Sequence, residues 1–217
     1  MKQGWIVRVV MLLPAILVIV AAVPRLISGI ALERAFPASA YIATNLPLSQ
    51  ADYAATEAAL AQAPAADGET HIIQAEAAAG AGQPDAAVIS VLETALARSP
   101  GDARGWTLLA SLLSDRNPKI AAGALSFAFA LAPRDYYMVL PRTLVGAGLW
   151  DNLPADDRKM LLHDALGMAT DTNRREDLRA LLMRRGGPAL VTRSLNGNPD
   201  AIRELNRSFA VELLNPR

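Results

Sequence analysis

The chain has no cysteine among its 217 residues. That excludes a disulfide framework, a thiolate zinc site and a cysteine nucleophile. Aromatic residues make up only 5% and charged residues 19%, and the formal net charge is zero. There are two histidines, His71 and His163, far apart in sequence and outside any His-x-x-x-His pair. A histidine-based metal site is therefore not expected, and both side chains are expected at the surface. No P-loop, dinucleotide fingerprint or G-x-S-x-G elbow occurs. Asp156 and Asp157 follow Pro154 in what reads as a first helical turn, where negative charge suits the helix dipole without any catalytic task. These absences point to a protein that is not an enzyme and needs no cofactor or metal.

Apolar residues make up 52% of the chain, and alanine alone about one residue in five. Such a chain is not disordered. Alanine and leucine without β-branched alternation favour helix over strand. Charge is uneven along the chain. Residues 1–48 carry four basic residues and one acid (+3), residues 49–171 carry 8 basic and 15 acidic residues (−7), and residues 172–217 carry nine arginines and five acids (+4). An acidic middle does not suit nucleic acid, whose affinity is dominated by phosphate neutralisation. The arginines near the C-terminus alternate with Glu176, Asp177, Asp200, Glu204 and Glu212, as on a solvated helix face.

The one long hydrophobic run is VVMLLPAILVIVAAVP, Val9 to Pro24. Extended back to Trp5, a helix ending at Val23 spans roughly 28 Å, close to the hydrocarbon thickness of a bilayer. Trp5 suits an interfacial position, and Pro14 is tolerable inside a span. Two readings fit. One is a secretory signal with Lys2 and Arg8 before it and Val20-Ala21-Ala22 as a cleavage site. The other, favoured by the length of the run and the apolar continuation, is an uncleaved anchor through residues 5–24. Leu26, Ile27, Ile30 and Ala31 would then lie along the bilayer surface. Residues 1–36 are read as anchor and interfacial helix, 37–48 as a linker, and 49–217 as the body. A short N-terminal tail normally stays inside, and the Ala/Arg-rich usage looks bacterial. The expected location is thus a single-pass inner-membrane protein with a periplasmic body.

The body is expected to be all-α. Helices are predicted over 50–63, 69–80, 84–98, 102–114, 118–132, 135–148, 154–170, 174–185 and 199–214. Asp102 and Asn198 are expected N-caps, and Pro84, Pro118, Pro154 and Pro199 sit at first-turn positions. Gly186-Gly187-Pro188 is read as a turn. The Trp150–Pro154 connection is read as a packing turn with an aromatic plug.

An internal repeat emerges between VLETALARSPGDARGW and LSFAFALAPRDYY. Ala95 and Ala128 are 33 residues apart, as are Pro100 and Pro133. With two helices per unit and a period near 34, this resembles the tetratricopeptide-repeat family, best over about 69–135. In that family small residues let paired helices touch, which the resemblance assigns to Ala95, Ala121 and Ala128. Pro100 and Pro133 match the closing proline, and Trp106 the opening aromatic. Val88, Ile72 and Pro141 depart from the family pattern. The resemblance implies an α-solenoid whose groove is lined by the first helix of each pair, with Arg104, Thr107, Ser111 and Tyr137 as its partner-binding candidates. The alternative puts Tyr137 in the core and leaves the other three as ordinary solvent-facing residues. The implied function is a membrane-anchored scaffold or adaptor in a bacterial envelope assembly, with exopolysaccharide synthesis or export favoured. The alternatives are an accessory subunit of a membrane enzyme complex, or a chaperone of the cytochrome-maturation type.

Overall fold

The computed structural model describes residues 18–31, 33, 35, 48–63, 67–203 and 205. Residues 5–17 of the expected anchor, most of the expected linker and the end of the last predicted helix lie outside the described residues. Every regular element among the described residues is helical, so the chain is all-α. Its residues fall into two compact units, Met1–Pro100 and Gly101–Arg217.

In the first unit, residues 18–31 are helical and turn a row of large apolar side chains outward. Val18, Ile19, Val20, Val23, Leu26, Ile27 and Ile30 are all exposed, while Ala31 is buried with Ala63. No helix among the described residues is long and apolar enough to cross a membrane. Three helices follow: α1 (Gln50–Leu60), α2 (Gly68–Gly80) and α3 (Asp85–Arg98). Ser49 caps α1 through the Asp52 amide, and Asp67 caps α2 through the Thr70 amide at 2.8 Å. Buried Val88, Leu92, Ala95 and Leu96 recur at helical spacing on α3 and face α2, which contributes Ile72, Ala75 and Ala78. At one point the backbones nearly touch. A Cβ on Gly68 would collide with Ser99 and come within 3.1 Å of the Ala95 carbonyl oxygen.

The second unit comprises α4 (Ala103–Leu113), α5 (Pro118–Leu131), α6 (Tyr136–Leu149), α7 (Ala155–Thr170), α8 (Arg175–Leu182) and α9 (Gly187–Leu195). Asp102 and Asp135 cap α4 and α6 by accepting from the Arg104 and Tyr137 amides, each at 2.9 Å. Asn198 accepts from the Ala201 amide and opens a helical stretch over 199–203, as its side chain predicted. Pro141 lies inside α6 without ending it. The core runs through Ala121, Leu125, Ala128, Phe129, Leu149, Leu161, Ala165, Met168, Leu181 and Leu190.

The sequence reading missed one helix. Residues 187–195 form α9, which packs on α7 and α8. The Gly-Gly-Pro turn is its start signal. Gly186 takes a left-handed φ of 82°, and Pro188 fills the first turn, where a missing N–H costs nothing. A Cβ on Gly186 would also strike the Ala147 carbonyl, so only glycine lets this corner close on α6.

Candidate functional site

Four residues were expected to line a groove, and three of them share one face of α4. Arg104, Thr107 and Ser111 are spaced by three and four residues. The structure gives them different settings. Thr107 is 3% exposed, and its hydroxyl donates to the Ala103 carbonyl at 2.9 Å, which makes it a packed helix residue. Arg104 folds back on its own N-cap, pairing with Asp102 at 3.0 Å. Ser111 reaches a cleft near the end of α4. Tyr137, at the start of α6, is 57% exposed and meets Tyr136 edge-on, so it is not in the core.

The residues assigned to helix packing behave more uniformly. Ala95, Ala121 and Ala128 are buried to 1% or less. Trp106 is partly buried and stacks on Phe127 with ring centroids 5.1 Å apart, joining α4 to α5. Pro100 and Pro133 are exposed and follow α3 and α5.

The cleft that Ser111 enters has a volume of about 630 Å³. Ser111, Ser114 and Asp115 form one side, Asp151 and Asn152 close an end, and Leu144, Val145 and Gly148 of α6 lie along it. Arg184 and Arg185, from the α8–α9 turn, complete it. Both arginines are exposed. The cleft therefore offers two guanidinium groups, two carboxylates, two hydroxyls and an amide around a short apolar strip. This lining can take hydrogen bonds of both senses and charges of both signs. It carries no nucleophile paired with a base. Sequence reasoning found Ser111 but not the arginines, which lie more than 70 residues further along the chain.

The most buried charged side chain among the described residues of the second unit lies on α6. Arg142 of α6 is 1% exposed. Its Nε donates to Asp164 Oδ2 at 2.6 Å and its Nη2 to Oδ1 at 3.0 Å, a two-pronged grip on α7. Nη1 donates to the Ala132 carbonyl at 2.5 Å and Nη2 to that of Pro133 at 3.3 Å. The guanidinium thus binds two carbonyls just past the end of α5, and it also lies 5.2 Å from the centre of the Phe129 ring. One side chain ties α5, α6 and α7 together. Enclosed on every side, it is a structural clasp and not a binding group.

Trp150 is held in a similar way. The guanidinium of Arg193 lies 4.8 Å from its ring centre and that of Arg158 lies 5.7 Å away, while Arg158 also donates to the Leu153 carbonyl at 2.9 Å. The connection after α6 is the packing turn the sequence suggested.

The remaining polar groups have structural roles. His71 is half-buried: its Nε2 lies 2.6 Å from Arg98 Nη1 and its Nδ1 lies 3.2 Å from Gln74 Oε1. That pair of contacts fits the tautomer with hydrogen on Nδ1. It corrects the expectation of a plain surface histidine; His163 is exposed as expected. Asp156 is bonded to Lys159, whose ammonium holds the carboxyl below its ordinary range, and Asp157 accepts from the Ser126 hydroxyl. No group of three or more His, Asp or Glu side chains suited to a metal ion occurs among the described residues. No family model, curated protein or solved structure matches this chain.

Proposed function

We propose that this chain is a membrane-tethered scaffold, built as an array of tetratricopeptide-like helical hairpins, that holds a protein partner in a bacterial envelope assembly. It is not an enzyme, and polysaccharide synthesis or export is the favoured setting. The observation that carries the proposal is the order of packing in the second unit. Helix α4 packs along α5, α6 packs against both, and α7 follows on α6. First helices of successive hairpins meet each other, as stacked repeats require. Burial of Ala95, Ala121 and Ala128 supports the same reading, because close helix contact needs small side chains there. The exposed apolar row from Val18 to Ile30 continues the uncharged run before it and supports a lipid contact. The length of that run and the short N-terminal tail before it support a single-pass inner-membrane anchor with a periplasmic body.

The partner is held at the mixed-charge cleft, with Arg184 and Arg185 as the anion-binding side. Charge reversal of both, as Arg184→Glu with Arg185→Glu, removes partner capture and leaves the fold intact, since both side chains are exposed. The check is cross-linking of tagged wild-type and variant chains in native membranes, followed by mass spectrometry. The same proteins recovered in equal yield with the variant contradict a role for the cleft.

The exposed row over 18–30 also suits a neighbouring transmembrane helix, the arrangement of an accessory subunit in a membrane complex. Exchange of residues 1–30 for an unrelated span separates the two. A scaffold keeps its partners after the exchange, and an accessory subunit loses them.

A further inference from the structure

The cleft beside α4 holds charges of both signs that do not pair with one another. Arg184 and Arg185 line it from the corner between α8 and α9, and Asp115 and Asp151 from the chain just past the ends of α4 and α6. All four residues are exposed, and none of their side chains makes an ion pair or hydrogen bond among the described residues. Elsewhere in the same unit arginine meets aspartate directly: Arg104 with Asp102, Arg142 with Asp164, Arg174 with Asp177 and Arg203 with Asp200. The Ser111 hydroxyl and the Asn152 amide, in the same lining, are likewise without a partner among the described residues.

The backbone that carries these charges is fixed. The arginines precede Gly186, whose left-handed corner closes on the Ala147 carbonyl of α6. From Leu178 to Pro199 the chain has four arginines and no acid, so this hairpin contains no counter-charge of its own. Asp151 follows Trp150, whose ring is flanked by Arg158 and Arg193, and Arg158 also donates to the Asp151 carbonyl at 3.4 Å. Charges set in place before binding favour an occupant that matches them, because little ordering remains to be done. A uniformly acidic segment would suit the arginines but face two carboxylates, and a uniformly basic one would do the reverse. Either puts like charges together and loses affinity. Leu144 and Val145 give the same lining an apolar strip. Resting on the reading that this cleft holds a protein partner, we propose that it takes a dipolar peptide segment, with acidic residues on Arg184 and Arg185, basic residues on Asp115 and Asp151, and apolar residues against Leu144 and Val145.

The test uses the full chain in mild detergent and short fluorescent peptides of equal length, read by anisotropy. One probe carries two glutamates at one end, two lysines at the other, and leucine and alanine between. The other two carry glutamates at both ends or lysines at both ends. The dipolar probe is expected to bind about tenfold tighter than either uniform probe, because each of those sets like charges against the cleft. Asp115→Lys with Asp151→Lys makes the charged lining wholly basic and is expected to turn the preference to the acidic probe. Arg184→Glu with Arg185→Glu is expected to turn it to the basic probe. Helicity should be unchanged in both variants, since all four residues are exposed. A uniform probe that binds wild type as tightly as the dipolar one overturns the proposal, as does a preference that neither variant alters. Displacement of the dipolar probe by an equal concentration of phosphoethanolamine would give the cleft to a lipid headgroup and also overturns it. If no probe binds while the double arginine variant still loses its cross-linked partners, the dipolar peptide falls and the scaffold stands. Unchanged partner capture by that variant overturns the reading on which the proposal rests.

Discussion

Arg142 and Asp164 show how one pair of side chains can define a helical unit. Removing two charges from water costs several kcal/mol each, and only close geometry with further hydrogen bonds offsets that. Here Nε and Nη2 of the guanidinium reach the carboxylate, and two carbonyls take two further donors. Asp164→Ala leaves a buried, uncompensated cation and is expected to cost about 3–5 kcal/mol in urea unfolding of the full chain. The double variant Arg142→Met with Asp164→Leu should recover much of that loss, because it removes both charges together. A single variant as stable as wild type would show that water reaches the site. The sequence did not reveal this pair. The two residues lie 22 positions apart on different helices, with no spacing pattern that joins them.

Asp67 makes a second residue-scale case. The Thr70 amide, and after it the Thr70 hydroxyl, hold the Asp67 carboxyl below its ordinary value, although partial burial opposes them. A carboxyl whose folded value is depressed adds stability that is present above its unfolded value. That stability is lost as pH falls through the folded value. Asp67→Asn keeps a capping oxygen but does not titrate. Between neutral pH and about pH 3 the variant is expected to lose less stability than wild type. Equal losses in parallel denaturant titrations would remove Asp67 from the acid response.

At the scale of elements, the chain punctuates its helices with chemistry that reads directly. Asp67, Asp102, Asp135 and Asn198 act as caps, and Pro118 lies in the first turn of α5. Eight of the predicted helices appear within a few residues of their expected bounds, and the ninth is described only over 199–203 and at 205. Helix α9 was hidden because its opening, Gly186-Gly187-Pro188, carries residues that both end and begin helices. The cleft was half-hidden because Ser111 and the two arginines that share its lining lie more than 70 residues apart in sequence. The small residues on α3 and α5 were legible because they repeat at 33 residues, and their burial follows from contact between paired helices. Ala95→Trp and Ala128→Trp are each expected to destabilise the body by about 1–3 kcal/mol or more, since a ring must displace a packed helix. Thermal unfolding of the two variants checks this, and an unchanged transition in either would dissolve the hairpin contact at that site.

At the scale of the molecule, two features stand apart from the helical core. One is the uncharged run that ends in the exposed apolar row over 18–30, and the other is a body without catalytic or metal-ligating constellations among the described residues. The first of them is the feature from which the proposed tether is argued. Alanine content made the helical class plain in the sequence, whereas the division into two compact units at Pro100 was not foreseen, because the repeat runs straight across that point. The central claim is the tether, and the most direct measurement is fractionation of cells expressing the full chain. Alkaline carbonate washing of the membranes should come first, then N-terminal sequencing of what remains. The account predicts an intact chain, beginning at Met1 or its processed neighbour, that resists the wash and is degraded by protease added from the periplasmic face. A soluble exported chain beginning after Ala22 would contradict it, and the apolar run would then be a cleaved signal.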